Sequence, residues 1–285
     1  MSNASIRIEQ LMLPTYPEPG KEEMPLFSEH RVHQRSTGRP YPNKVTLEVN
    51  RERKIERSYT VVHLENEYLD VLVLPEIGGR IFAARDKVTD YDFFYRQHVI
   101  KPGLIGALGS WISGGVEFNW PYHHRPSGFL PCDFETEECG DGSVICWLSE
   151  HDPIDRMKGM VGIFLRPGCA YLETRVKLCN RTPVTKSFLW WENAAVPVNE
   201  SYQIFFPKDV TYVNFHYLDS RISYPIAGDA TFNGIDMTTA RDISWHKNTK
   251  DATSYFACAS QYDFFGGYDH GLDCGVVHIL SLIHI

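Results

Sequence analysis

Helical periodicity, long apolar runs, paired cysteines and an excess of positive charge are all missing from this sequence. Each absence removes a class of protein. No stretch approaches the roughly 18 apolar residues of a membrane span, and the opening MSNASIRIEQLMLP lacks the basic start and apolar block of a secretory signal. Lys and Arg number 28 against 36 Asp and Glu, giving a net charge of −8 with no basic run. That balance argues against a nucleic-acid partner. No Cys-x-x-Cys pair occurs among the 7 cysteines, so zinc-ribbon and thioredoxin-like readings fail. Most cysteines sit in apolar runs such as Val144-Ile145-Cys146-Trp147, which reads as reduced, buried thiols in a cytoplasmic protein. Nucleophile-elbow, phosphate-loop, zincin and EF-hand spacings are also absent, and neither a metal nor another cofactor is expected.

What is present is a chain able to bury a core, with 43% hydrophobic and 13% aromatic residues. Residues 1–44 are punctuated by Pro14, Pro17, Pro19, Pro25, Pro40 and Pro42, and are expected to form an extended arm. From Val45 the pattern becomes β. Tyr68 to Leu74 reads YLDVLVL, and the glycines of Glu76-Ile77-Gly78-Gly79-Arg80-Ile81 suit a tight turn into the next strand. In Tyr171 to Leu178 the residues Leu172, Thr174, Val176 and Leu178 share one face, and Glu173, Arg175 and Lys177 the other. Ser143 to Glu150 and Lys158 to Leu165 read as further strands, and Lys101 to Trp111 as a loop. Many strands with turn punctuation predict a large antiparallel sandwich over residues 45–279. The ending LSLIHI, residues 280–285, matches one reading frame of a sequencing adapter. It is expected to be a non-native tail on a domain truncated before its closing strands.

Three stretches carry groups suited to chemistry. The first, WISGGVEFNWPYHHRPSGFLP, packs Glu117, Asn119, Trp120, Tyr122, His123, His124 and Arg125 into nine positions. A neutral histidine serves as a general acid or base near neutral pH, and an arginine fork holds hydroxyls or carboxylates. The second, FLWWENAAVPVNESYQIFFP, combines Trp190 and Trp191 with Glu192, Asn193, Asn199 and Gln203. Sugar recognition uses that mixture, because C–H faces stack on indoles while hydroxyls pair with planar polar groups. One of the two adjacent tryptophans must face the core. The third, YDFFGGYDHGLDCG, offers Asp263 and His270 on a loop between strands, with its glycines opposing a metal reading.

The segments Leu64-Glu65-Asn66-Glu67-Tyr68 to Leu74-Pro75-Glu76-Ile77-Gly78-Gly79-Arg80-Ile81, GGVEFNWPYHHRP and YDFFGGYDHG resemble galactose-mutarotase-like domains. They resemble in particular a bacterial family of unassigned function on that fold, whose members often carry tetratricopeptide repeats after the domain. The resemblance implies an all-β supersandwich with a sugar or oligosaccharide on a concave sheet face. It also implies acid–base chemistry at the anomeric centre by a histidine and a carboxylate. His124 is the implied acid with His123 as its alternative, and Arg80, Glu117, Asn119, Trp120, Arg125, Trp191, Glu192, Asn193, Gln203, Asp263 and His270 are the expected substrate contacts. The general base has no matching position in this chain. The alternative reading is a non-catalytic sugar-binding module of a larger glycan-processing or repeat-containing protein.

Overall fold

The computed structural model describes residues 3–18, 49–105, 109–121, 128–152, 155–215, 220–227, 231–232, 235–236, 241–249 and 254–280. It is all-β and antiparallel, as the turn-punctuated alternation predicts. The chain divides into two compact units, Met1–Val196 and Pro197–Ile285.

In the first unit, strands β1 (Ser5–Thr15), β2 (Ile55–Glu65), β3 (Leu69–Leu74), β4 (Arg80–Asp86) and β5 (Tyr91–Asp92) are followed by a short pair, β6 (Gly103–Ile105) and β7 (Gly109–Trp111). Then come β8 (Val116–Asn119), β9 (Asp133–Glu138), β10 (Val144–His151), β11 (Met157–Leu165), β12 (Glu173–Asn180) and β13 (Trp191–Ala194). One sheet runs β1-β2-β3-β4-β8-β13 with β5 added beside β4, and a second runs β12-β11-β10-β9. The segment expected as an arm therefore contributes a full strand, β1, which pairs with β2 from Ser5↔Glu65 to Thr15↔Ile55. Its sequence, SIRIEQLMLPT, alternates weakly because an edge strand leaves much of both faces in water.

Side-chain alternation sorts the larger sheet into two faces. Val62, Leu64, Val71, Val73, Ile81, Val116 and Phe118 point at Val144, Cys146, Leu148, Val161, Ile163 and Leu165 of the smaller sheet, and together they form the sandwich core. The opposite face is also apolar over its middle: Tyr59, Val61, Leu74, Phe82 and Ala83 pack with Ile77, Ile100 and Ile112. A bulge at Leu72/Val73 lets Phe82 and Ala83 both join that second cluster. None of the seven cysteines is in a disulfide, and burial pushes the Cys146 thiol up to about 12. On the outside of the smaller sheet Lys177 lies over the Trp147 ring, and Arg166 and Arg175 lie over Phe164.

The second unit holds β14 (Tyr202–Phe205), β15 (Tyr212–Phe215), β16 (Ser220–Ser223), the two-residue strands β17 (Ile226–Ala227), β18 (Thr231–Phe232), β19 (Ile235–Asp236) and β20 (Arg241–Asp242), then β21 (Tyr255–Ala257), β22 (Phe264–Asp269) and β23 (Cys274–Ile279). Two three-stranded sheets, β14-β22-β23 and β16-β15-β21, accompany a small core of Val210, Val213, Ile222, Ala227 and Ile243. Tyr224 and Tyr255 close it, each donating its hydroxyl to a backbone carbonyl, Ile204 at 2.9 Å and Ile243 at 3.1 Å. Gly266 and Gly267 lie inside β22 rather than in a loop. The Phe205 ring and the Tyr202 hydroxyl lie where their side chains would be, at 2.5 and 2.1 Å from a hypothetical Cβ.

The same device seats Trp120, whose ring comes within 2.3 Å of a Cβ built on Gly159 of β11. Gly159→Val is therefore expected to lower unfolding stability by about 1–3 kcal/mol through overpacking. Gly140→Ala, with nothing within 4 Å of its added carbon, should be near neutral. Urea unfolding of the two variants checks this, and equal midpoints would refute it.

Candidate functional site

One group of polar side chains of the first unit gathers at one end of the outer sheet face, and register explains why. Ile81 of β4 opposes Val116 of β8. In antiparallel pairing Arg80, one residue before Ile81, then lies across from Glu117, one residue after Val116. Asn193 of β13 in turn opposes Glu117, and Trp191 opposes Asn119. Opposed residues share a face. Arg80, Glu117 and Asn193 thus form a row across three strands, with Asn119 and Trp191 in the next row. Arg80 and Glu117 are 3% and 6% exposed and Asn119 is fully buried, whereas Asn193 at the sheet edge is exposed and Trp191 half-buried. Arg80 Nη1 donates to the Ile112 carbonyl at 2.9 Å, and Asn193 Nδ2 lies 3.5 Å from Glu117 Oε2. The row brings a guanidinium, a carboxylate, two amides and an indole together beside a buried apolar cluster.

Other expected site residues lie elsewhere. Glu192 opposes Phe118 and so faces the sandwich interior. Thr174 Oγ1 donates to it at 2.9 Å, and burial raises its carboxyl above the usual range against the pull of that bond. Trp190 stacks on Phe118 at 6.2 Å between centroids and is the core member of the tryptophan pair. Trp120, 3% exposed, belongs to the core against Gly159. His123, His124 and Arg125 lie outside the described residues. Gln203 and His270 meet in the second unit, with His270 Nε2 3.0 Å from Gln203 Oε1. Asp263 does not join them: it precedes β22, and His270 follows it. Six strand residues separate the two by roughly 20 Å. Among the described residues no group of three His, Cys, Asp or Glu side chains could hold a metal ion, and no helix is long and apolar enough to cross a membrane.

A polar cluster that sequence reading missed occupies the opposite end of the outer face. His63 of β2 sits between Glu9 Oε1 on Nδ1 at 2.8 Å and Asp70 Oδ1 on Nε2 at 2.6 Å. A carboxylate thus faces each of the two ring nitrogens. Arg7 joins Glu9 and Glu65, and Lys87 joins Glu65 at 2.8 Å. The bond to Asp70 holds the His63 pKa above its ordinary value, and the bond to His63 holds Glu9 and Asp70 below theirs. A raised histidine contributes stability that is complete below its unfolded pKa and fades as pH climbs through the folded one. The depressed carboxylates contribute above their unfolded pKa and lose it as pH falls through the folded ones. Stability from this cluster should peak between about pH 4.5 and 6.5. Urea midpoints at pH 5.5 and 8.5 should therefore differ in the native chain and converge in His63→Gln. An unchanged difference in the variant would refute the assignment.

The row can be tested separately. Glu117→Ala removes the carboxylate across from buried Arg80 and is expected to destabilise the fold, while Arg80→Met combined with Glu117→Leu should cost less than the two single changes added. Additive losses in a denaturation cycle would show that the two groups do not sense one another.

Comparison with known proteins adds a fold and a family. A crystal structure of a TPR-domain containing protein from Parabacteroides distasonis ATCC 8503 is similar over 98% of this chain, at a TM-score of 0.79 and 22% identity. At that identity the likeness speaks for the fold alone, and the chain spans only 44% of that protein's length. The family model described as Domain of unknown function (DUF5107) matches residues 37–282, most of the chain, and the protein belongs to that family.

Proposed function

We propose that this domain binds a carbohydrate on the outer face of its larger sheet and acts on it at the anomeric centre. The observation that carries the reading is the row Arg80–Glu117–Asn193, flanked by Trp191 and Asn119, at the end of an otherwise apolar face. Trp191 at the sheet edge offers an indole face to sugar C–H groups, and Asn193 and Glu117 offer paired donor and acceptor sites for hydroxyls. In the galactose-mutarotase manner a histidine protonates the ring oxygen and a carboxylate takes the anomeric proton. His124 is the proposed acid, and Glu117 is the carboxylate the row supplies. Glu192 has no part in this reading, because its carboxyl faces the sandwich interior. A cytoplasmic setting agrees with seven cysteines and no disulfide.

The second reading is a binding module without turnover. It is favoured by one observation: the structurally similar protein is more than twice as long and is described as TPR-domain containing. In that reading the sheet face holds a glycan for a catalytic or repeat domain elsewhere in a longer chain.

Proton NMR of the anomeric region separates the two. The protein is mixed with free hexoses, hexose phosphates and oligosaccharides, alongside the Trp191→Ala, Asn193→Ala and His124→Ala variants. Enzyme action predicts faster anomer exchange that His124→Ala abolishes. A binding module predicts line broadening that Trp191→Ala and Asn193→Ala abolish and His124→Ala leaves in place. Sharp, unexchanged signals with every sugar would overturn the carbohydrate reading.

A further inference from the structure

The larger sheet ends on β1, and along most of that strand no described residue pairs with its far side. Three bonds settle which backbone groups point that way. Ile100 donates its N–H to the Pro14 carbonyl at 2.8 Å, and the Ala4 N–H donates to the Gly142 carbonyl at 3.0 Å, so neither group is turned to β2. The amide of Thr60, which opposes Gln10, turns away from β1 to the Glu76 carboxylate at 2.7 Å. Bonded and non-bonded pairs alternate along an antiparallel ladder. The even-numbered residues of β1 therefore direct their N–H and C=O groups outward, and the odd-numbered ones direct theirs to β2. At Ile6, Ile8, Gln10 and Met12 no described residue meets those outward groups.

The edge also lacks the usual protection. Sheet edges are commonly blunted by lysine, by proline or by a bulge. The strand SIRIEQLMLPT has no lysine, and its proline, Pro14, stands next to its last residue. Its pairing with β2 runs without a break from Ser5 to Thr15. Ile8 and Met12 share the face of Ile6, which packs on the sandwich core, yet they are 56% and 55% exposed. On the other face Arg7 and Glu9 pair with each other and stay open to water.

We propose that β1 pairs antiparallel with β1 of a second copy of this chain about a twofold axis at Ile8, making one continuous sheet through a symmetric dimer. The register follows from the edge. Outward residues oppose outward residues, because each such pair exchanges both of its hydrogen bonds. The axis therefore falls on a residue and not between two. An axis at Arg7 or at Glu9 sets two like charges directly against each other. An axis at Gln10 sets Arg7 and Glu9 against leucines, and brings Ile6 to Pro14, whose carbonyl Ile100 already holds. An axis at Ile8 places Arg7 of each copy opposite Glu9 of the other, Ile8 opposite Ile8, and Ile6 opposite Gln10. That register makes about six main-chain hydrogen bonds and two crossed charge pairs of the kind that stabilise antiparallel neighbours.

The strand is thus complementary to itself, which selects a second copy over an unrelated extended segment. Both copies use the same edge, so association closes at two. A contact of this extent lies at the small end of specific interfaces, and the dimer is accordingly weak and concentration-dependent. None of the Arg80–Glu117–Asn193 row takes part, and the pairing does not depend on what that row binds.

Sedimentation velocity of the whole chain over a concentration series is the test. The expected result is a reversible monomer–dimer equilibrium with no larger species. Ile8→Pro removes the outward N–H at the centre of the new ladder and spares the bonds of β1 to β2. It should weaken dimerisation by about tenfold or more. Arg7→Glu and Glu9→Arg should each weaken it to a similar extent, since each sets like charges across the axis. Mixed in equal amounts, these two variants should associate again, because one then presents only acids and the other only bases. They keep the native main chain, so they decide the matter even where Ile8→Pro does not fold, and urea midpoints show that each is folded. The proposal is overturned by a monomer at every concentration, by growth beyond a dimer, by a dimer that folded Ile8→Pro leaves intact, or by no association in the mixture.

Discussion

The outer face of the larger sheet depends on how closely β8 can approach β4. Gly115, the residue just before β8, has φ +63°, and a Cβ built there would fall 1.9 Å from the Ile81 carbonyl oxygen. No side chain fits that gap, and few residues other than glycine adopt that backbone conformation. The close approach sets Ile81 against Val116, and from that single register follows the sorting of every later residue on β8 and β13. A slip of one residue would turn Glu117 and Asn119 into the sandwich core and Phe118 out of it. The apolar interior and the polar row are therefore two outcomes of one constraint, and hydrophobic packing on one face defends the chemistry on the other.

Several buried polar groups on this domain are met by partners. His63 has two carboxylates, Glu192 has the Thr174 hydroxyl, and Asp269 has an amide side chain and two backbone amides. An unmet polar group in such places would cost several kcal/mol. That arrangement separates structural from accessible chemistry. Glu192 is spent inside the sandwich, whereas Asn193 and Trp191 on the same strand look outward, because consecutive residues of a strand alternate.

Period-two alternation made the central strands legible. YLDVLVL, VICWLSE and the Leu172–Leu178 stretch each carry one apolar and one mixed face, and they appear as β3, β10 and β12 within a residue or two of the expected bounds. Arg80, Glu117 and Asn193 of the row, with Asn119 and Trp191 beside them, were also legible as residue types, because such groups are costly to bury. Three features were hidden for physical reasons. Strand β1 carries Pro14 and exposed Ile8 and Met12, so its pattern never separates into faces. Trp120 looked like a sugar platform because nothing local reveals that Gly159, far along the chain, leaves room for its ring. The His63 cluster draws on Glu9, 54 residues away in sequence, and side-chain networks of that reach leave no periodic trace.

The pairing of β1 with β2 has a consequence for how the chain assembles. Strands β2, β3 and β4 form a meander with short connections, each pair closing a small loop. By contrast, β1 reaches β2 only by bringing Thr15 back to Ile55, and the entropy lost in closing a chain loop grows with its length. The meander can therefore order first and present the free edge of β2 as a template, onto which the N-terminal strand zips through eleven residues of register. Until that happens β2 is an open edge, the kind of surface on which other chains add strands. The first strand of the sequence thus covers the edge of β2 along its whole length.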